Sequence, residues 1–175
     1  FLDQGKSLEL GDSVSALLKD LQDFTQLRMQ WRNQNTLVME DKADYFYILN
    51  DQKKIDRIEK RERNIAHRMV EEAMLLTNMC AGHLFSQHPG YGIFSTHPGF
   101  RTERLDEARH LINQDRPDLA SLDITQLQDY CQLFRQLRQQ KDQAINQSLH
   151  ALLQRMQQMA CLSLDALPHF GLGFP

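Results

Sequence analysis

Asn64, His67, Arg68, Glu71 and Asn78 recur at steps of three, four and seven residues. On a helix that spacing sets them along one polar stripe. The opposite face is strongly apolar, and Met74, Leu75 and Leu76 follow at once. A carboxylate on the edge of such a helix, once partly desolvated, is poised to accept hydrogen bonds from a ligand hydroxyl. A solvated face explains the same pattern, with a His67/Glu71 pair at i, i+4 worth only ~0.3–0.5 kcal/mol. Periodicity alone favours that plainer reading.

His67 and Glu71, one turn apart, could share an ion as half of a metal site, but nothing at a recognisable spacing supplies the other ligands. His83, His88, His97, His110, His150 and His169 form no HxH or HExxH pattern and read as structural. Two-metal phosphodiester chemistry needs several aspartates in a short stretch. Here Asp3, Asp12, Asp20, Asp23, Asp41, Asp44, Asp51 and Asp56 are spread over helix surfaces and turns. No GxSxG or P-loop occurs, and Gly90-Tyr91-Gly92 and Gly171-Leu172-Gly173 are lone glycine pairs, too weak for a phosphate cradle. By motif the chain has no recognisable catalytic centre. Basic residues gather from Lys53 to Arg68, but Asp56, Glu59 and Glu62 interleave with them. That favours a salt-bridged, solvated surface over a phosphate track. Tyr45, Phe46 and Tyr47 are of the type that stacks bases, although packing against the first helix is the commoner fate of such a strand.

The elements that must position these residues follow from hydrophobic period. A first helix starts at a cap on Asp12 or Ser13, carries Val14, Leu17, Leu18, Leu21, Phe24, Leu27 and Trp31 as its core stripe, and ends at Asn33-Gln34-Asn35. Short strands are predicted over Thr36 to Met39, Tyr45 to Leu49 and Lys54 to Ile58, the last two joined across Asn50-Asp51. A second helix spans about Asn64 to Phe85, with Ile65, Met69, Ala73, Leu76, Cys80 and Leu84 inward. Gln87-His88-Pro89-Gly90 breaks it. Ile93 to Thr96 reads as a strand, and a third helix begins near Thr102 with Leu105, Ala108, Leu111 and Ile112 on one face. Residues 114 to 118 are read as a loop. Ile124, Leu127, Cys131, Phe134 and Leu137 mark a fourth helix; Ile145, Leu149, Leu152, Met156 and Met159 mark a fifth. Twelve glutamines lie between Gln114 and Gln158, yet leucines at helical spacing run through them, so an amphipathic pair is the better reading than a low-complexity tract. The fold class is α+β, mostly helical: five helices with a small antiparallel sheet element.

Composition agrees. With 175 residues the chain is one domain or part of one, 41% hydrophobic and 25% charged. Only eight glycines and five prolines argue for long helices and against many short strands. No apolar run approaches the ~18 residues that span a bilayer. A net charge of −3 supplies no global field for nucleic acid, so any such contact is local. Cys80, Cys131 and Cys161 are scattered and odd in number, which fits a reducing, cytoplasmic compartment. The opening Phe1-Leu2-Asp3 leads into no signal-peptide pattern, and both ends read as cut from something longer.

The stretch Ala66-His67-Arg68-Met69-Val70-Glu71-Glu72-Ala73-Met74-Leu75-Leu76-Thr77-Asn78 resembles a signature of the ribonuclease II family: Ala-His-Arg, two apolar residues, Glu-Glu, a free position, Met, two apolar residues, a small one and Asn. Arg28-Met29-Gln30-Trp31-Arg32 with Leu37-Val38 resembles the family's preceding helix and strand. Gly90-Tyr91-Gly92-Ile93-Phe94 with His97-Pro98-Gly99-Phe100, and Pro168-His169-Phe170-Gly171-Leu172-Gly173, resemble later segments in the family's order. The likeness covers essentially the whole chain and is most specific at 61 to 100 and 168 to 173.

This resemblance implies that residues 1–175 are the central portion of an RNB catalytic domain. The parent would be a processive 3′→5′ exoribonuclease that hydrolyses single-stranded RNA to nucleoside 5′-monophosphates with Mg²⁺. It assigns Glu71 to positioning the 3′-terminal nucleotide, sets Met39 and Asn78 beside it on the RNA, and gives His67 and His97 supporting roles. Met39 stands where the family's namesake has a stacking phenylalanine, so ring–base overlap worth ~1–3 kcal/mol is lost. The family's aspartate cluster precedes this region and its Ser-Pro-Ile-Arg arginine follows it, so metal ligands are expected outside this chain. Cold-shock and S1 domains are absent from it as well. The piece is therefore expected to be inactive alone and to self-associate through surfaces left bare. The reading from a different class is a non-catalytic helical protein-interaction module.

Overall fold

The computed structural model describes residues 11–38, 44–139 and 144–175. Along the chain run α1 (Asp12–Asn35), β1 (Asp44–Leu49), β2 (Ile55–Arg61), α2 (Ile65–Ser86), β3 (Phe94–Thr96), α3 (Leu105–Asp115), α4 (Leu127–Gln139), α5 (Ala144–Arg155) and β4 (Cys161–Ser163), with 3₁₀ turns at Thr102–Arg104 and Pro117–Leu119. The fold is α+β and mostly helical. Among the described residues it has five helices and two antiparallel strand pairs, β1–β2 and β3–β4. It divides into two compact units, one of Phe1–Gln30 and Met39–Asn78, the other of Trp31–Val38 and Met79–Pro175.

In the first unit β1 and β2 form a hairpin, in which Tyr45 faces Lys60 and Tyr47 faces Ile58. Its turn is built by Asn50, whose side-chain Oδ1 accepts the N–H groups of Gln52 and Lys54 at 3.0 Å each. Lys53 there takes a positive φ of 59°. The expected burial of this strand against the first helix does not occur: Tyr45 and Tyr47 are 61% and 62% exposed. The stripe expected to be the core of α1 is likewise outside, with Val14, Leu17, Leu21, Phe24 and Leu27 between 37% and 67% exposed. The covered side of the helix lies a fraction of a turn round. Thr25 is wholly buried there, its Oγ1 donating to the Leu21 carbonyl at 2.7 Å. Arg28 stands 3.8 Å from the wholly buried carboxylate of Glu72 on α2. A helix buries the face its neighbours meet, and here they meet it with a charge pair.

The second unit holds an aromatic and aliphatic core. Phe100, Ile112, Ile124, Tyr130, Leu133, Phe134, Leu149 and Leu153 are buried, joined by the packed rings of Tyr130 and Phe170. The buried Arg116 donates to both carboxylate oxygens of Asp118 at 2.8 and 2.6 Å and to Asn146 Oδ1 of α5 at 3.1 Å. Thr36–Val38, expected as a strand, forms none. The Leu37 N–H donates to the Leu172 carbonyl at 3.1 Å, and Arg135 and Arg138 donate to the Thr36 and Val38 carbonyls. Backbone groups satisfied by arginines need no strand partner. Gly173 has φ of 70° there, and a Cβ on it would come within 2.8 Å of the Leu37 nitrogen. The fifth helix stops at Arg155, short of the expected Met159, and Cys161–Ser163 pairs with β3 instead. Ile145, Leu152 and Met159, expected inside, are exposed, as are Cys80 and Leu84.

Candidate functional site

The start of α2 is set by Asn64. Its Oδ1 accepts the His67 backbone N–H at 3.2 Å, an N-cap that satisfies one of the helix's orphan donors. The same oxygen lies 2.7 Å from His67 Nδ1, and the Asn64 backbone N–H approaches that nitrogen at 3.3 Å. Asn64 thus fixes both the helix end and the ring.

One turn on, Glu71 projects from the same face. Its Oε2 is ion-paired with Arg63, and Arg68 Nη1 stands 3.8 Å away. The side chain is 24% exposed, partly desolvated and open at one edge. Glu71 lines a groove of about 590 Å³ together with Arg63, Asn64, Ala66, His67, Val70, Met74, Leu75 and Asn78. Four of the five residues read as a polar stripe, Asn64, His67, Glu71 and Asn78, therefore share one wall. Arg68 reaches it through the Glu71 carboxylate. Ala66, Val70, Met74 and Leu75 supply an apolar floor.

Arg63 is the functional candidate that spacing missed. Spacing groups it with a salt-bridged basic surface, which is the state of its neighbours: Arg57 pairs with Asp56 and Glu59, and Lys60 with Glu62, all exposed. The usable signal was position, since Arg63 immediately precedes the cap and lies about two turns before Glu71. Of the adjacent glutamates, Glu72 is the buried one and belongs to the packing of α1 on α2.

His97 belongs to the second unit. It is buried, its Nδ1 accepts the Gly99 N–H at 3.2 Å, and its ring lies 5.5 Å from that of His169. Burial and the neighbouring imidazole pull its pKa down, and burial does the same for His169. Met39 lies outside the described residues. Among the described residues no three His, Cys, Asp or Glu side chains gather closely enough to hold a metal ion, so the donors present do not fit Mg²⁺. Chemically, the groove offers a carboxylate between two guanidiniums, an imidazole, two amides and an apolar shelf. That set can accept from hydroxyls, donate to phosphate oxygens and seat a flat ring.

Comparison with known proteins identifies the frame. The RNB domain family model matches residues 1–175. Exoribonuclease 2 of Aeromonas hydrophila is 34% identical over 171 residues, covering 98% of this chain and 25% of that protein. Exoribonuclease 2 of Pasteurella multocida is 37% identical over 171 residues, covering 91% and 25%. The chain thus spans about a quarter of the length of these relatives. Its fold is shared by the apo form of Mycoplasma genitalium RNase R, with a TM-score of 0.77, 16% identity and coverage of 99% of this chain and 27% of that one. The same RNase R in complex with ribose methylated single-stranded RNA gives a TM-score of 0.74 at 16% identity, with the same coverage. With every residue matched and the fold held in common, this chain belongs to the RNB domain family.

Proposed function

We propose that residues 1–175 are the central portion of an RNB catalytic domain in a 3′→5′ exoribonuclease that degrades single-stranded RNA processively to nucleoside 5′-monophosphates. Glu71 would accept hydrogen bonds from the terminal ribose hydroxyls without acting as a base. Asn78, and Met39 beyond the described residues, would contact the same nucleotide. His67 supports the wall through Asn64, and His97 holds a loop of the second unit. The observation that carries this reading is the partly buried Glu71 carboxylate on the wall of a groove that also holds Asn64, His67 and Asn78.

The Mg²⁺ that such hydrolysis uses would be held, on the family resemblance, by the aspartate cluster expected outside this chain. Three free cysteines support a reducing, cytoplasmic setting. No helix among the described residues is long and apolar enough to cross a membrane.

The test is Glu71→Gln in the full-length enzyme. Turnover of labelled single-stranded RNA should fall by about tenfold or more, the loss of a charge-assisted hydrogen bond. Unchanged rates reject the role of Glu71. The 175-residue chain with Mg²⁺ and RNA should release no nucleotide, and release by pure material rejects its inactivity alone. A second reading, a non-catalytic helical interaction module, is favoured by one feature, the bare apolar stripe of α1. It would be supported if Glu71→Gln left RNA turnover intact while charges placed on that stripe abolished a protein contact.

A further inference from the structure

The β1–β2 hairpin takes no part in the site above, yet it is unusually bare. Strand alternation puts Tyr45 and Tyr47 on one face, with Lys60 and Ile58 opposite them on β2. Both rings are more than half exposed, as is Ile58, whereas Phe46 on the other face is more covered. Two residues apart, the tyrosines stand about 7 Å from each other along the strand. An extended single strand presents successive unpaired bases at comparable intervals, and each base has a face that an aromatic ring can cover.

Position favours that occupant. β2 ends at Arg61, and two residues later Arg63 and Asn64 already line the groove around Glu71. The Tyr45–Lys60 end of the hairpin is the end that leads there. Two cations of the hairpin are occupied, Arg57 by Asp56 and Glu59 and Lys60 by Glu62. The surface would therefore engage bases before phosphates.

We propose that the Tyr45/Tyr47 face of the hairpin is a second contact for single-stranded RNA, stacking unpaired bases of a strand whose 3′ end lies at Glu71. The proposal rests on the Glu71 reading for the choice of RNA as occupant and for the direction of the strand.

The test is fluorescence anisotropy of the full 175-residue chain with a 5′-labelled oligoadenylate of about 12 nucleotides. Tyr45→Ala and Tyr47→Ala should each weaken binding by about 5- to 100-fold. Tyr45→Phe and Tyr47→Phe, which keep the ring, should bind like the unaltered chain. A duplex of the same sequence should not compete. The alanine losses should be equal for 3′-hydroxyl and 3′-phosphate ends, whereas Glu71→Gln should weaken only the 3′-hydroxyl oligonucleotide. Alanine variants that bind RNA as tightly as the unaltered chain overturn the proposal, as does equal competition by duplex or no binding at all. A loss of protein self-association with RNA binding unchanged assigns the face to protein and overturns it equally. If Glu71→Gln alters neither oligonucleotide while both alanine variants weaken binding, the hairpin contact stands and the end-positioning reading falls.

Discussion

Adjacent glutamates on α2 do different work because a helix turns about 100° per residue. Glu71 meets the groove, while Glu72 is wholly buried beside Arg28 of α1. Truncating a buried charged residue leaves its surroundings uncompensated, a loss of about 3 kcal/mol or more. Glu72→Ala should therefore lower the urea midpoint strongly, and Glu71→Ala only slightly. Equal loss of stability in the two variants would remove the division of labour. Spacing sets Glu71, and not Glu72, on the stripe of Asn64, His67 and Asn78, but it does not give the burial of Glu72 beside Arg28. That was decided by which neighbour came to rest against each.

At the scale of elements, two segments far apart in the chain close on each other in the second unit. The His97 N–H donates to the Pro168 carbonyl at 3.2 Å, and the Phe170 N–H returns a bond to the His97 carbonyl at 3.0 Å. Each imidazole uses Nδ1 as an acceptor, His97 for the Gly99 N–H and His169 for the Leu172 N–H at 3.1 Å. Protonating Nδ1 breaks those bonds and charges a buried ring beside another. Burial holds both pKa values below the ordinary 6.5, and for His97 the neighbouring imidazole adds to it. In the unfolded chain the rings take up protons near that value, so the folded state is fully favoured above it and loses stability as pH falls through the depressed values. Thermal unfolding followed from neutral pH to about pH 5 should show this decline. His169→Asn, whose carbonyl can still accept from Leu172, should flatten it; an unchanged slope would show that these rings do not set it.

The apolar stripe of α1 is left largely exposed among the described residues. Val14, Leu17, Leu21, Phe24, Leu27 and Trp31 follow one another at steps of three and four, each more than a third exposed. Contiguous apolar surface of this kind drives association. The isolated chain should sediment as a concentration-dependent oligomer, and Leu17→Lys with Leu27→Lys should return it to monomer without loss of helix signal. Monomeric behaviour of the unaltered chain would count against this stripe as a sticky face. The relatives are about four times longer than this chain, which supports reading the stripe as a surface that further protein covers.

Periodicity alone determined the long helices, the hairpin at Asn50, the helical character of the glutamine-rich segment and the common face of Asn64, His67, Glu71 and Asn78. These depend on residues close in sequence, whose geometry the backbone repeat dictates. Tertiary structure decided which side of α1 is covered, that Thr36–Val38 satisfies its carbonyls with arginines, that Arg63 closes on Glu71, and that His97 meets His169. Each of these joins groups brought near only by folding, and an amphipathic pattern says that a face is apolar without saying that anything lies against it.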